Sequence, residues 1–407
     1  MISSEENERL AKVGPGTSGG EMLRRYWQPL LPKAAAPKNG EKIRIRILGE
    51  DLVLYGKNDG GWGLVREACL HRSASLFYGF VEGCDIRCPY HGWLFSEKGE
   101  CKERPFERKT DQVVRRKLPA YEVQELGGLL FTYMGPESTK TPLPEWDILT
   151  RDDCVRYFEE QEDLDCNWLQ VQENAADVTH TFFLHSFMLK KLGLPDASGF
   201  NRPLKQYGFQ PFPYGLLKSW VYRGTPDSKG WGNMLIFPNA LRILTEMHWR
   251  VPIDDEHTRI VWVSIRPDGM QSPVGHGEIL RQPAKRRKNG EFTMETFMSQ
   301  DAMACETQGL IADRSKEVLG ASDIGVVMFR RMVEEAIKDV EAGQLPLGAI
   351  PLGTSPAIDL RNWMGGMLAM TCAADGAPIP SLPEETVFDE RYVTIDVPDI
   401  PIHYEAL

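Results

Sequence analysis

"ACLHRSASLFYGFVEGCDIRCPYHGW", residues 68–93, concentrates three cysteines and two histidines in a chain of 407 residues that holds only 8 of each. They do not repeat as two C-x-x-C knuckles. They form an asymmetric pair, Cys69-x-His71 and then Cys88-x-x-His91, with Pro89 and Gly92 suited to the tight turn of the second loop. Two short loops that each offer one thiolate and one imidazole can hold one metal tetrahedrally, or two metals. Zinc fingers usually pair Cys with Cys and His with His. A two-iron cluster that takes two cysteines on one iron and two histidines on the other matches one ligand of each kind per loop. Cys84 and Cys101 fall outside the pattern.

This spacing resembles the Rieske [2Fe–2S] signature, which implies Cys69, His71, Cys88 and His91 as cluster ligands. The high-potential Rieske proteins of respiratory chains carry two further loop cysteines joined by a disulfide. Ala74 and Tyr90 stand at the matching places here. Those proteins also have a serine that hydrogen-bonds the cluster where this chain has Trp93. Both departures imply the lower end of the Rieske range, about −150 mV, suited to electrons delivered by a reductase.

Around these loops the sequence reads as β structure. In "KIRIRILGEDLVLYG", Ile43, Ile45 and Ile47 alternate with Lys42, Arg44 and Arg46, the period of a half-buried strand, and "LVLYG" returns after a turn. Further short strands make a small all-β module. "PESTKTPLPEW", residues 136–146, has no such pattern, and the boundary is placed there: residues 1–140 and 141–407. Beyond it "NWLQVQENAADVTHTFFLHS" reads as a helix and the stretch near 209–267 as strands. "SDIGVVMFRRMVEEAIKDVEAG" reads as a long helix with Ser322 as N-cap and Gly343 as its stop. The fold class is therefore α+β, an all-β domain followed by an antiparallel sheet flanked by helices.

The first helix carries a second constellation. His180 and His185 lie five apart, with Asp177 three residues before the first. Asp177 can share a face with His180. The two histidines, about 140° apart on a regular helix, can meet one ion only if the helix ends or bulges between them. The stretch resembles the D-x-x-H-x-x-x-x-H iron motif of Rieske non-haem iron ring-hydroxylating oxygenases, in the phthalate dioxygenase-like branch. Those enzymes hold Fe(II) with two histidines and one carboxylate. The resemblance implies His180, His185 and Asp323 as ligands, with Asp313 and, more distantly, Asp301 as rivals for the acid. Asn174 and Asp177 are placed among the catalytic residues. Asp177 is expected to bridge to a Rieske histidine of a neighbouring subunit, or else to orient His180 alone. His248, His257, His276 and His403 are read as surface or core histidines.

The expected protein is a terminal oxygenase with an aromatic substrate. It would use O₂ and electrons that a separate reductase, or a ferredoxin, draws from NAD(P)H, and it would assemble as a homotrimer or a hexamer of trimers. A substrate carboxylate would need a cation, and Arg202, Lys218, Arg223, Arg242 and Arg250 are the candidates. Ring hydroxylation of an aromatic acid, O-demethylation of a methoxy-aromatic, and electron transfer without oxygenation stay open. The net charge of −11 argues against nucleic acid or an anionic membrane. The charged N-terminus and the lack of a long apolar run point to the cytoplasm.

Overall fold

The alternating stretch folds as a hairpin of β2 (Lys42–Ile47) and β3 (Glu50–Gly56). In the computed structural model, which describes residues 2–108, 116–195, 202–224, 231–361 and 393–397, this hairpin edges a six-stranded sheet. The sheet is completed by β4 (Trp62–Arg66), β9 (Ala120–Leu126), β10 (Leu129–Tyr133) and β1 (Gln28–Pro32). A smaller sheet of β5 (Phe80–Glu82), β6 (Asp85–Arg87), β7 (Leu94–Phe95) and β8 (Cys101–Glu103) stands beside it. The Cys69 loop follows β4, and the Cys88 loop joins β6 to β7. Val53, Tyr55, Ile86 and Phe95 form the apolar floor beneath both.

After β11 (Glu145–Trp146), a second sheet of nine strands begins with β12 (Cys154–Glu160). Its middle is an antiparallel run of β13 (Leu204–Phe212), β14 (Gly215–Tyr222), β15 (Trp231–Ile236), β16 (Ala240–Ile243), β17 (Glu246–Pro252) and β18 (Thr258–Pro267). β19 (Ile279–Arg281) and β21 (Val393–Asp396) form its edges, and β20 (Ala357–Ile358) pairs with β11. The two halves share one apolar core. Leu48 and Gly49 also donate to the carbonyls of Pro252 and Ile253 at 2.9 and 3.0 Å.

The helices differ from expectation in three places. The stretch read as one helix is α4 (Trp168–Ala176), a π-helical segment Thr181–Phe187 and α5 (Met188–Lys191), because Asp177 to His180 break the α winding. Ser322 is no N-cap: it lies in a 3₁₀ turn, Ala321–Asp323, and α7 (Ile324–Glu341) begins after it. Gly343 does stop that helix, with φ 73°. A further helix, α6 (Phe297–Glu306), has an N-cap Thr296 and no expectation behind it. Its last residue, Glu306, is clamped by Lys285 and Arg286 at 2.6 Å each. These two cations are thus used inside the fold. The remaining helices, α1 (Ser4–Ala11), α2 (Ser18–Leu23) and α3 (Asp147–Thr150), are short.

What fixes α4 is a buried ionic knot. Glu173 accepts from Arg314 at 2.8 Å and from Arg330 of α7 at 2.6 Å, and Arg314 reaches Asn7 of α1 at 3.0 Å. At the end of α4, Gly325 of α7 lies so close that a Cβ there would meet Phe209 at 2.4 Å and the Ala176 carbonyl at 2.5 Å. Burial alone would raise the Glu173 pKa, but Arg314 and Arg330 hold it below the usual carboxylate range. A lowered folded-state pKa contributes stability above the ordinary Glu value near 4.3, lost as pH falls through the lower one. Glu173→Gln should leave the buried Arg314 guanidinium without a counter-charge and Arg330 with Glu317 alone, and cost about 3–5 kcal/mol. Denaturant unfolding followed by tryptophan fluorescence checks this, with the deficit shrinking in acid.

Candidate metal centres

The two loops of residues 68–93 close on their own backbones. Cys69 N donates to Ala74 O at 3.0 Å, and Cys88 N donates to Trp93 O at 2.8 Å. Ser73 (φ 58°) and Gly92 (φ 69°) take the left-handed conformation that each turn requires. The closures bring the His71 and His91 rings to 4.6 Å between centroids, and Trp93 stacks on His71 at 4.8 Å with an interplanar angle of 1°. The two thiols are 2% and 3% exposed. Nδ1 of His71 and Nδ1 of His91 are both buried without a hydrogen-bond partner. A buried polar atom left unpaired calls for an explanation, and a missing ligand supplies one. Burial, with Cys88 beside it, pushes the Cys69 thiol up to about 12, so a thiolate there needs a cation to hold it. Two thiols and two imidazole nitrogens with open lone pairs fit a Rieske cluster.

The second centre is built at the break after α4. Asp177 Oδ2 accepts from His180 N at 3.0 Å and lies 3.1 Å from His180 Nδ1. Asp177 Oδ1 takes Thr179 N and Thr179 Oγ1 at 2.8 and 2.9 Å. Burial would raise this carboxyl, but the His180 and Thr179 bonds hold it far below the usual range. The π winding of Thr181–Phe187 then removes the 140° problem, since i and i+5 stack in a π-helix. His180 and His185 face each other with centroids 5.2 Å apart.

The acid that meets them comes from α6. Asp301 Oδ1 lies 3.4 Å from His185 Nε2 and 3.8 Å from His180 Nε2. One ligand atom from each of the three residues lies within 4.8 Å of the other two. His185 Nδ1 is tied to Gln300 Oε1 at 2.8 Å, and Gln300 Nε2 donates to Met294 O, which fixes the amide's orientation. With both Nδ1 atoms bonded to acceptors, both Nε2 lone pairs are left facing Asp301. Two imidazoles and one carboxylate on one side of an ion fit non-haem Fe(II) with open positions. Asn174 reaches Asp301 Oδ1 at 3.4 Å.

Asp323 is not part of this group. Its Oδ2 accepts from Gly320 N at 2.7 Å, a bond that closes the 3₁₀ turn before α7. The carboxylate beside the histidines is Asp301, the more distant rival. Asp313 is also elsewhere, bonded to Ser315 and Lys316.

Beside the three residues opens a cavity of about 510 Å³, lined by α4, the π segment, α6 and one face of the sheet. β17 contributes Glu246, His248 and Arg250, alternate residues on one face. His248 is thus a buried histidine, within its sequence reading, that also lines the cavity. It is 4% exposed and lies against the Trp262 ring at 4.2 Å. His257 pairs with Asp254 at 2.8 Å, His276 accepts from Arg156 N, and His403 lies outside the described residues.

Fold and site together define a redox protein with an iron–sulfur inlet and a mononuclear iron centre. Residues 26–122 match the family model described as Rieske [2Fe-2S] domain, and residues 276–365 match LigXa C-terminal domain like. The chain is 36% identical to the 5,5'-dehydrodivanillate O-demethylase oxygenase subunit of Sphingobium sp. (strain NBRC 103272 / SYK-6), covering 93% of this chain and 92% of that one. It is 32% identical to the phthalate 4,5-dioxygenase oxygenase subunit of Pseudomonas putida, covering 86% and 89%. The terminal oxygenase of carbazole 1,9a-dioxygenase from Novosphingobium sp. KA1 shares the fold, with a TM-score of 0.58 at 19% identity over 82% of this chain and 95% of that one.

The chain belongs to the Rieske aromatic ring-hydroxylating oxygenase alpha subunits, in their phthalate dioxygenase-like branch. It is an oxidoreductase with a Rieske cluster, a mononuclear iron and O₂ as co-substrate, which sets aside the reading as a bare electron carrier. Among the described residues no helix is long and apolar enough to cross a membrane.

Asp301→Ala should abolish mononuclear iron and turnover while keeping the Rieske absorption. Asp323→Ala should keep both metals. Metal analysis of the two purified variants decides between the acids, and iron retained by Asp301→Ala would count against this site.

Proposed function

We propose that the chain oxygenates an aromatic carboxylate in the cavity beside His180, His185 and Asp301. The observation that carries this reading is Arg250. Of the five cations singled out in the sequence, Arg242 is paired with Asp147 at 3.1 Å, and Arg223 donates to Val397 O at 2.7 Å. Arg202 stacks on Tyr222 at 4.3 Å, and Lys218 donates to two backbone carbonyls. Arg250 lines the cavity, is 7% exposed, and has a buried Nε without a partner. Burial lowers its pKa only to about 10, so it stays a cation at neutral pH. Asn233 Oδ1 and Trp262 Nε1, on the same wall, are also buried and unpaired. An apolar cavity with a few unpaired polar groups selects a planar apolar ligand with a polar edge.

When bound, the iron centres supply one-electron transfer and O₂ activation. The chain's own residues do the rest. Val178, Leu241, Ile243, Phe297 and Met298 pack the aromatic ring and exclude water. Arg250 anchors the carboxylate and so sets which ring atom faces Asp301. Asp177 and Gln300 hold the two imidazoles in the ligating tautomer. Residues 1–140 serve as the electron inlet, fed by a separate reductase or ferredoxin, and residues 141–407 as the oxygenating part. The setting is the cytoplasm, in keeping with seven described cysteines of which none forms a disulfide.

Asp177 supports the reading of a ring of subunits. Its side chain is 21% exposed, leaving an edge for a neighbour's Rieske histidine. Its four acceptor positions are already taken within the chain, so the incoming N–H would replace the Thr179 hydroxyl, which has water as an alternative partner. A second reading, oxidative O-demethylation, has the 36% identical O-demethylase subunit in its favour.

Oxygen uptake over a panel of aromatic acids, with a surrogate reductase, tests the function. Formaldehyde release equal to O₂ consumed marks demethylation, and its absence with a hydroxylated ring marks the first reading. Arg250→Met should raise KM for the preferred acid about 30-fold, near 2 kcal/mol, with little change for its neutral amide. Asp177→Asn should keep both metals and slow single-turnover electron transfer; an unchanged rate would remove the bridge.

A further inference from the structure

Lys218 sits in the middle of β14, 4% exposed, with its ammonium inside the fold. Burying a lysine is costly unless its charge and donors are met. Its Nζ donates to Ala175 O at 2.7 Å and to Asp177 O at 3.0 Å. Both carbonyls belong to the end of α4, where last-turn carbonyls lack partners within the helix and a cation complements the dipole. Neighbouring carbonyls of that turn, on Glu173 and Asn174, are taken by Asp177 N. The lysine thus completes the hydrogen bonding of the one backbone stretch that leads from α4 into the iron-binding segment.

We propose that Lys218 is a positioning residue for the mononuclear iron. It pins the carbonyls on either side of the α4 terminus and thereby sets where the Asp177 carboxylate and the His180 ring stand. The inference rests on the assignment of His180, His185 and Asp301 as the iron ligands. Two observations support it beyond the hydrogen bonds. Lys218 pairs in register with Asn233 of β15, so its backbone is held by the interior of the sheet. Burial pulls its pKa down to about 8, and the carboxylates of Asp177 and Asp301 offset part of that effect. Its contact with the cavity invites a rival role as the substrate's anion anchor. Two of its three donors are already committed to carbonyls, whereas Arg250 has an unpaired one.

The test uses the full chain with its Rieske cluster, freed of mononuclear iron and dialysed anaerobically against graded Fe(II). Lys218→Met should hold Fe(II) 10- to 100-fold more weakly than the parent, with the Rieske absorption unchanged. Its affinity for benzoate as a probe anion should stay within twofold, while Arg250→Met should show the reverse pattern. Loss of melting temperature with parental Fe(II) affinity would reduce Lys218 to a stability role and overturn the proposal. Parental Fe(II) affinity with lost benzoate binding would overturn it in favour of the anchor role. Should Lys218→Met not fold, Lys218→Gln, which keeps two N–H donors on a shorter arm without the charge, is read the same way. Asp301→Ala run alongside separates the two claims: if it keeps its iron, the ligand assignment has failed rather than the role of Lys218.

Discussion

Two imidazoles five residues apart stand together with ring centroids 5.2 Å apart, and no regular helix allows it. Everything around this segment follows from how the backbone solves this. α4 is ended at Ala176 by Asp177, whose carboxylate satisfies the backbone N–H groups of Thr179 and His180 as the next segment starts. The winding then widens to a π form through His185. Such a segment has poorer hydrogen-bond geometry than an α-helix and persists only where packing over-determines it. Here the packing is supplied by the Glu173 knot behind α4 and by Gly325 pressed against its end.

The Rieske loops were legible because their chemistry is local. Each loop brings one thiol and one imidazole within four residues, and Gly92 marks the turn that makes this possible. The histidine pair was legible for the same reason, including the requirement that the helix change between them. The acid was not. Asp301 lies far along the chain, on a helix whose sequence, "FMSQDAMACE", has no clear apolar stripe to announce it. Asp323 had the better local signal, an acid at the start of a strong helix. In the structure that carboxylate closes a turn on Gly320 N and stands apart from the histidine pair.

The cavity wall shows a related limit. Alternation in a strand separates two faces but does not say which is wet. In β17 the polar set, Glu246, His248 and Arg250, faces inward, while Met247, Trp249 and Val251 face the apolar core on the other side. A sheet buried on both faces leaves its polar row free to become a binding surface, and only the placement of α4 and α6 over it reveals the cavity. The five candidate cations could not be ranked from sequence for the same reason, since their partners come from other strands and helices.

Gln300 and Asp301 are neighbours on α6, one holding the His185 ring and the other supplying the carboxylate. Orientation of one donor and delivery of another are thereby mechanically linked. A shift of this single helix moves the partner of the His185 ring and the carboxylate together.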